Sequence, residues 1–477
     1  MHSPAELKDQ SREFSVEELF FSITDPRGVI TAWNDVFVRI SAYAPGELQG
    51  SPHNIIRHPH MPRGVFQMLW EAIQAGRVFS GYVKNRAKDG AFYWVYTVVA
   101  PIAEGYLSIR FKPTGPLLAA AVEGLYRDAL AHEASVKAGG ASTADTARAG
   151  AAFIRQKIAA LGFTSYDTFS QHAFAEEMRH RDEALKRAGR AEPPMRLDSG
   201  TGPQARELAD LYPVARQASL ALRSLFGKLD VFSSLSGELR KKAESVLKTT
   251  EDFHLNAMNA NIAAQRLGAQ AVSLGTVATF LGHYGQILAR EIGELDRQIT
   301  LTTDATEAAT SSIATARLQI EMILFFMTEL GRIDGTLARD GAEHLRQLPR
   351  LERAFAATLR QTREAIRALQ VRVPEIRIHN ETLLTTVLRL EMTQVSGLTE
   401  SARVLEGTDL RDMFASFRAE IAGVRTDLEN LGNSTEELGR LVDSTPAALV
   451  QIVDATAPLK HRLATLAGGE AVAAAAD

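Results

Sequence analysis

The sequence predicts a multi-domain protein in which an α+β domain precedes a long all-α region. Between about residues 15 and 113, short apolar stretches alternate with turn sequences, giving two strands, a helical middle and three strands. A five-stranded antiparallel sheet with helices on one face fits that order. From residue 114 onward no segment has strand character, and large apolar residues recur at steps of three and four. That spacing is typical of a helical bundle or coiled coil.

Turn chemistry and alternation mark the expected strands. Asp25-Pro26-Arg27-Gly28 is a turn in which proline presets φ and glycine relieves the closing position. It joins two strands of a hairpin, and an aromatic-rich hairpin follows later in the domain. The expected strands are Leu19 to Thr24, Val29 to Trp33, Phe79 to Arg86, Ala91 to Ile102 and Tyr106 to Pro113.

Two helices are expected between the second and third strands. Asn34 can cap the first of them with its side chain, because Val36, Phe37 and Ile40 then recur at helical spacing. The second helix runs from Pro62 to Gly76, carries an apolar face and ends at glycine.

Two polar segments carry the candidate binding residues of this domain. Residues 51–62 read SPHNIIRHPHMP, with three histidines and an arginine in a proline-bounded stretch. Residues 81–95 read GYVKNRAKDGAFYWV, which is a strand, a tight turn and an aromatic strand. Together they predict the wall of a small-molecule pocket rather than the active site of an enzyme.

These segments resemble the flavin-binding PAS domain of bacterial aerotaxis transducers. The resemblance is carried by FFSITDPRGVITAWNDVF, ELQGSPHNIIRHPHMP and GYVKNRAKDGAFYWV, in that order, and covers residues 15–113. In that family the domain holds FAD non-covalently and reports redox state. The resemblance implies that Arg57, His58 and Asn85 surround the cofactor, with Asn34 and Trp70 at matching pocket positions.

Two positions depart from the family's pattern. His60 stands where the family has an aspartate, which removes a negative charge beside the pocket. Phe79 stands where the family has a tryptophan, which keeps a flat face but loses an indole N–H. Both residues, together with His53, are retained as cofactor-binding candidates.

The chemistry of FAD supplies an independent reason to consider these residues. Its pyrophosphate favours fixed cations, and its ring system needs flat apolar walls and a few amide-type partners. Asn85 can read the ring edge. Cations that flank the segments are Arg57, Arg63, Lys84, Arg86 and Lys88, and aromatic walls can come from Trp70, Phe79, Phe92 and Trp94.

Other interpretations of the same residues remain open. The cations can form a solvated rim, and the tryptophans can be core residues around an empty or differently filled pocket. His53, His58 and His60 can ligate haem iron or a metal, although their spacing matches no compact metal motif.

Composition limits the function classes. The chain has 477 residues, so more than one domain is expected. A net charge of −4 does not favour a nucleic-acid partner. No cysteine is present and no signal peptide is recognisable, and the longest apolar run, Met322 to Met327, is too short for a membrane helix. A cytoplasmic protein is therefore expected. No phosphate-binding loop, His-Glu-x-x-His motif or nucleophile elbow occurs, so an enzyme is not expected.

The all-α region divides into several segments. Residues 114–189 are expected to form a helical extension, with helices at 116–134 and 153–187 and a turn or flexible joint at 138–150. Residues 190–204 are the expected linker because prolines and glycines concentrate there. Residues 205–465 are expected to form the helical bundle or coiled coil, and residues 466–477 a disordered tail.

Two apolar seams run through the bundle region. A homodimer is favoured as the way to bury them, and a bundle closed within one chain is the alternative. Prolines 349, 374, 446 and 458 are expected to break the long helices. The first seam comprises Leu222, Leu225, Leu229, Phe232, Leu239, Ala243, Val246 and Phe253, with Ser236 and Thr250 as polar interruptions; the second comprises Leu410, Phe414, Phe417, Ile421, Val424, Leu428, Leu431, Leu438 and Val442, interrupted at Thr435.

A second, weaker resemblance lies at residues 256–268, NAMNANIAAQRLG. This segment is similar to the hairpin tip of methyl-accepting chemotaxis proteins, which in that family contacts a histidine kinase and its coupling protein. Ala263 replaces a glutamate of the motif, and residues 269–274 lack the glycine-rich run that follows the turn. Alternatively, the small residues Ala257, Ala260 and Ala264 simply allow close helix packing.

Three functional hypotheses result. The first is a soluble redox or oxygen sensor that holds FAD and signals through the helical region, in aerotaxis or chemotaxis. The second is a cofactor-free PAS interaction module on a helical scaffold for other signalling proteins. The third, a flavin enzyme, has no candidate acid or base to support it.

Overall fold

A five-stranded sheet with the order β2-β1-β5-β4-β3 forms the N-terminal domain. All neighbouring strands are antiparallel. The predicted fold class is confirmed, and the predicted strands end within two residues of the observed ones. The strands are β1 (Phe20–Thr24), β2 (Ile30–Trp33), β3 (Phe79–Arg86), β4 (Phe92–Ile102) and β5 (Gly105–Phe111).

The computed structural model describes residues 6–190, 192–195, 197, 203–266, 272–331, 343–403 and 409–468. The chain divides into two units. The first unit contains residues 1–226, 307–363 and 447–477, and the second contains residues 227–306 and 364–446. The predicted tail beyond residue 468 and parts of the predicted linker lie outside the described residues, as do the side chains of Phe232, Ser236 and Leu410.

The segment between β2 and β3 is helical, as predicted. It contains α1 (Asp35–Ser41), α2 (Pro45–Leu48), a 3-10 turn (His53–Ile56) and α3 (Arg63–Gln74). The expectation that the Asn34 side chain caps α1 is wrong. Its amide instead accepts from the backbone N–H of Phe21 and donates to the carbonyl of Leu19, at 3.1 Å each. The buried side chain therefore satisfies the backbone next to β1 rather than the start of its own helix.

Three helices follow the sheet: α4 (Glu123–Ala138), α5 (Thr143–Ala160) and α6 (Tyr166–Arg187), with a π-helical turn at Leu118–Val122 before them. The turn or flexible joint predicted at 138–150 is a turn at residues 139–142 only, because α5 begins at residue 143. Ser142 accepts a hydrogen bond from the backbone N–H of Asp145 at 3.1 Å. This N-cap starts a helix in a segment that its glycines and small residues made look like a joint.

The helices α4 and α6 pack on the sheet. The Tyr96 ring on β4 stacks on Phe174 with a centroid distance of 5.6 Å. Buried Glu177 accepts a hydrogen bond from the Tyr82 hydroxyl at 2.8 Å, and it also accepts the backbone N–H groups of Thr114 and Gly115. One carboxylate thus ties α6 to β3 and to the segment that leaves the sheet.

Four long helices make up the rest of the described chain. They are α7 (Pro203–Arg266), α8 (Val272–Gly331), α9 (Leu348–Ser401) and α10 (Asp409–Leu466). The prediction that prolines break these helices is wrong for Pro374, which lies inside α9, and for Pro446 and Pro458, which lie inside α10. Pro349 does mark a helix boundary, because a turn at residues 346–347 precedes it and α9 begins at Leu348. A proline removes one helical hydrogen bond, and apolar packing before and after it keeps the helix continuous.

The second apolar seam is covered inside one chain. In the second unit, the Phe417 ring contacts Phe253 of α7 at 5.0 Å, and Gln394 of α9 donates to the Phe414 carbonyl at 2.8 Å. From Phe414 to Val442 the large apolar side chains of the seam are buried. A dimer is therefore not needed to bury this seam, and the homodimer stays a prediction without that argument.

Candidate ligand-binding site

A cavity of about 230 Å³ lies between the sheet and the segment containing the 3-10 turn and α3. Both polar segments singled out in the sequence contribute to its wall, and so do β1 and β5. The residues that line it are Thr24, Arg27, Gly28, Pro52, His53, Asn54, Ile56, Arg57, Phe66, Leu69, Trp70, Ile73, Val83, Asn85, Thr97, Val99, Tyr106, Ser108 and Arg110.

Arg57 and Asn85 are neighbours in the cavity wall because their backbones form an antiparallel bridge. The Arg57 guanidinium lies 3.8 Å from the centre of the Phe66 ring and donates to the Met61 carbonyl at 3.3 Å. Burial, with a smaller contribution from nearby Arg63, lowers the pKa of Arg57 to about 10. Arg57 remains a cation at neutral pH and is held in place by a ring and a carbonyl.

Arg110 is a second cavity cation, and the sequence analysis missed it. Its side chain is buried on β5, where Nη2 donates to the Ser22 hydroxyl at 3.1 Å and to His53 Nε2 at 2.6 Å. Burial lowers the pKa of Arg110 to about 10. The available signal was the alternation of YLSIRF, because Tyr106, Ser108 and Arg110 share one face of a strand.

His53 is held neutral by its surroundings. Burial, and then the neighbouring charge of Arg110, places the pKa of His53 well below its usual value. Its Nε2 lies 2.6 Å from Arg110 Nη2 and 3.1 Å from the Ser22 hydroxyl. A neutral imidazole can accept the guanidinium hydrogen bond there, so His53 positions Arg110 rather than adding a second charge.

Two hydrogen-bond donors of the cavity wall have no partner in the part of the chain that is described. Nη1 of Arg110 and Nδ2 of Asn85 are buried and have no hydrogen-bond partner among the described residues. Neither Arg57 nor Arg110 forms an ion pair with a carboxylate of the residues that the structure describes. Buried donors and charges are normally paired. The cavity is therefore suited to a ligand that brings acceptor atoms or negative charge.

One wall of the cavity is flat and aromatic. The Trp70 ring of α3 packs edge-on against Tyr106, with a centroid distance of 5.7 Å. Gly28 adopts a φ of +80°, and a Cβ there would lie 3.1 Å from the Trp70 ring. Glycine therefore provides the hairpin turn and leaves room for the indole.

Four of the eight predicted site residues line the cavity: His53, Arg57, Trp70 and Asn85. The other four are not among the described residues of its wall. The Asn34 side chain is bonded to the backbone of Leu19 and Phe21, as described above. Phe79 stacks on Tyr166 of α6 at 5.6 Å.

His58 and His60 lie together outside the cavity wall. Their ring centres are 4.8 Å apart, and His58 Nδ1 accepts the backbone N–H of His60. Burial, with the charges of Lys84, His60 and Arg86, lowers the pKa of His58 to about 4. Within the described ranges, no three His, Asp or Glu side chains gather as a metal site.

The remaining predicted cations and aromatic walls also lie elsewhere. Lys84 sits over the Phe92 ring at 4.0 Å, and Lys88 pairs with Glu47 at 2.6 Å. Trp94 packs near Tyr126 of α4. Strand alternation explains this. Lys84 lies between Val83 and Asn85, which line the cavity, and Phe92 and Trp94 are an odd number of residues from Thr97 of the cavity wall, so all three face the other way.

Comparison with known proteins agrees with this architecture. A model of the PAS fold matches residues 30–107. Those residues form a PAS domain. The PAS region is 40% identical over 132 residues to the aerotaxis receptor of Escherichia coli (strain K12), which covers 27% of this chain and 26% of that receptor. The predicted resemblance to the PAS domain of aerotaxis transducers is confirmed.

Two further relatives match over shorter stretches than the aerotaxis receptor does. One is the nitrogen fixation regulatory protein of Klebsiella pneumoniae, 28% identical over 81 residues, or 17% of this chain and 16% of that protein. The other is the bacterioopsin transcriptional activator of Halobacterium salinarum, 27% identical over 103 residues, or 21% of this chain and 15% of that protein. The chain thus spans about a quarter or less of the relatives it matches.

No helix within the described residues is both long and apolar enough to cross a membrane.

Proposed function

We propose that this PAS domain holds FAD non-covalently in its cavity and reports redox state or oxygen to the helical region. The observation that carries the proposal is the pair of unpartnered donors in the cavity wall, Nη1 of Arg110 and Nδ2 of Asn85. Together with the half-buried Arg57, which has no carboxylate partner among the described residues, they favour an acceptor-rich ligand. The similarity to the aerotaxis receptor supports a flavin as that ligand.

The cavity residues fit the ring portion of a flavin. The volume of about 230 Å³ is slightly below the roughly 300–1,000 Å³ of typical ligand pockets. It suits one flat ring system rather than a whole dinucleotide. Trp70 and Phe66 would provide the apolar wall, and Asn85 would donate to a ring acceptor. Exposed Arg27 and Asn54 stand at the rim, where the rest of the cofactor would leave the cavity.

Bound FAD would supply reversible electron transfer. Arg110 would offset negative charge at the ring, because it is a fixed cation with one free N–H group. Neutral His53 would keep that guanidinium in place without adding charge. This arrangement favours sensing over catalysis, since His53 is already committed to Arg110 and no cavity carboxylate is present to act as a base.

We further propose a cytoplasmic signalling protein whose partners include a chemotaxis-type histidine kinase and its coupling protein. The helix pair α7–α8 supports this in part. Helix α7 ends at Arg266 and α8 begins at Val272, and a Cβ on Gly275 would lie 3.7 Å from that of Ala264. A tight antiparallel hairpin thus occurs where the tip motif is found. The same closeness agrees with the simpler interpretation that small residues allow helix packing. Gly268 and residues 269–271 lie outside the described residues.

The visible spectrum of the purified full-length chain tests the flavin proposal. After incubation with excess FAD and gel filtration, the protein should be yellow with the absorption of oxidised flavin, and dithionite should bleach it. A colourless protein would refute FAD binding and favour the cofactor-free interaction module. A Soret band would favour haem held by one of the histidines.

A further inference from the structure

The first helix of the PAS domain is capped by a residue far away in sequence. Because the Asn34 side chain points to β1, it does not cap α1. Glu329, near the end of α8, takes that place. Its carboxyl group accepts from Asn34 Nδ2 at 2.8 Å and lies beside the backbone N–H of Val36 in the first turn of α1. A carboxyl oxygen at a helix N-terminus lies among N–H groups that have no partner within the helix.

An aromatic contact lies beside this cap. Phe326, one turn before Glu329, packs edge-on against Phe21 of β1 with a centroid distance of 5.1 Å. Both rings are buried. They belong to the longest apolar run of the chain, MILFFM at 322–327, and to the apolar start of the sheet. The end of α8 is therefore docked on the PAS domain by one apolar and one polar contact.

Neighbouring residues of β1 contact the end of α8 on one face of the sheet and a cavity residue on the other. Ser22 accepts from Arg110 on the cavity side, while its neighbour Phe21 contacts Phe326 on the opposite side. The backbone N–H of Phe21 is bonded to Asn34, which in turn holds Glu329. A shift of Arg110 that pulled on Ser22 would displace the backbone that carries both docking contacts.

We propose that the end of α8 is the output element of the PAS domain, latched by Phe326 and Glu329 and coupled to the cavity through Arg110, Ser22 and β1. The signal that would open the latch rests on the proposed flavin function. The latch itself and its coupling to β1 do not depend on that function. Helix α8 begins in the second unit and ends in the first, so the latch acts on a helix that both units share.

Buried ion pairs limit how much of α8 would detach when the latch opens. Glu321 of α8 pairs with Arg181 of α6 at 2.5 Å and with Arg317 at 2.8 Å, and Arg317 also pairs with Asp182. Arg223 of α7 is 3.5 Å from Glu321. Breaking a buried pair is costly because it leaves a charge uncompensated. The opening should therefore be confined to residues 322–331.

The latch carries a pH dependence that can be used in its test. Burial, with repulsion from Asp35 and Glu18, raises the pKa of Glu329 to about 8. Arg39 is paired with Glu18, and His344 faces Phe326 from the far side. A raised carboxyl pKa means that the docked state binds its proton more tightly than the released state. Docking should be strongest at low pH and should weaken as the pH rises towards about 8.

Hydrogen–deuterium exchange of the full-length, flavin-free chain tests the latch. Glu329→Ala removes the acceptor of one Asn34 N–H and the carboxyl group beside the start of α1, so residues 35–41 and 322–331 should exchange roughly tenfold to a hundredfold faster. Glu329→Gln keeps both acceptor contacts without the charge. It should stay docked and lose the pH dependence. Asp304→Ala, which removes an exposed carboxylate from the same helix, is the matched control and should change nothing in either segment.

The coupling through β1 is tested by Ser22→Ala, with Ser80→Ala as its control. Ser80 is also a buried serine of the sheet, but it lies on the edge strand β3 and its hydroxyl is bonded to that of Ser170. Loss of the Arg110–Ser22 hydrogen bond should speed exchange of 322–331 by roughly twofold to tenfold, while Ser80→Ala should not. Wild-type exchange in Glu329→Ala would overturn the latch, and equal exchange in the two serine variants would overturn the coupling. Neither result depends on whether FAD binds, which the visible spectrum decides separately.

Discussion

Replacing Arg110 by methionine separates a ligand-binding arginine from a structural one. Methionine has a similar length and no charge. If the role of Arg110 is to bind a ligand, its buried charge destabilises the flavin-free protein. Arg110→Met should then stabilise the flavin-free protein slightly and weaken flavin binding. If Arg110 serves the fold, the same change should destabilise the protein in both states.

The structure sets the size of the effect. Burial lowers the pKa of Arg110 to about 10, well below the usual pKa of an arginine, and at about 1.4 kcal/mol per pKa unit the charged form costs roughly 3 kcal/mol in that position. The substitution also removes the hydrogen bonds to Ser22 and His53, at roughly 1 kcal/mol each. The flavin-free variant should therefore be more stable by about 1 kcal/mol. Loss of a charge-assisted contact should weaken FAD binding roughly tenfold to a hundredfold.

Urea unfolding of flavin-free protein and equilibrium titration with FAD supply the two measurements. A loss of more than about 2 kcal/mol in the free energy of unfolding, with unchanged FAD affinity, would show that Arg110 is structural. Ser22 and His53 remain within 3.1 Å of one another, so the variant leaves them with a hydrogen-bond partner.

Three further predictions concern other parts of the molecule. Arg57→Ala should weaken flavin retention more than His53→Ala, because Arg57 is itself a cavity cation; the absorbance of flavin per chain after gel filtration measures this, and equal retention in Arg57→Ala and wild type would remove Arg57 from the site. Glu177→Ala strands the Tyr82 hydroxyl and two backbone N–H groups and should lower the free energy of unfolding by at least roughly 1–3 kcal/mol, while Glu176→Ala, a half-buried neighbour, should have little effect. Phe417→Asp with Val424→Asp should reduce helicity by circular dichroism, because the seam closes within one chain; full helicity with a halved sedimenting mass would show instead that the seam joins two chains.

Much of the sheet could be predicted because its signals are local. The turn at Asp25–Gly28 and the Lys88-Asp89-Gly90 turn each fix a hairpin, and strand alternation does the rest. The Arg57 and Asn85 segments could be linked because their motifs occur together. Four of the eight residues predicted from these motifs line the cavity.

The remainder depends on contacts that no local pattern records. From the sequence alone, Arg110 cannot be told apart from other strand residues. Its place in the cavity follows from the position of β5 between β1 and β4. Asn34 reads as a helix cap until α8 brings Glu329 to that position from 295 residues away. The prolines of α9 and α10 read as helix breaks because intrinsic propensity cannot take account of packing on both sides of them. In each case a distant element determines what the residue does.

Flavin occupancy in a variant that lacks Arg57 and Arg110, the two cavity arginines without a carboxylate partner among the described residues, tests most directly whether this cavity is the cofactor site. Wild type and Arg63→Ala, in which an exposed arginine outside the cavity wall is removed, should carry the same amount of flavin per chain after reconstitution and gel filtration. Arg57→Ala combined with Arg110→Met should carry little or none and should remain folded by circular dichroism. Equal flavin in all three proteins would place the cofactor elsewhere and contradict the assignment of this cavity.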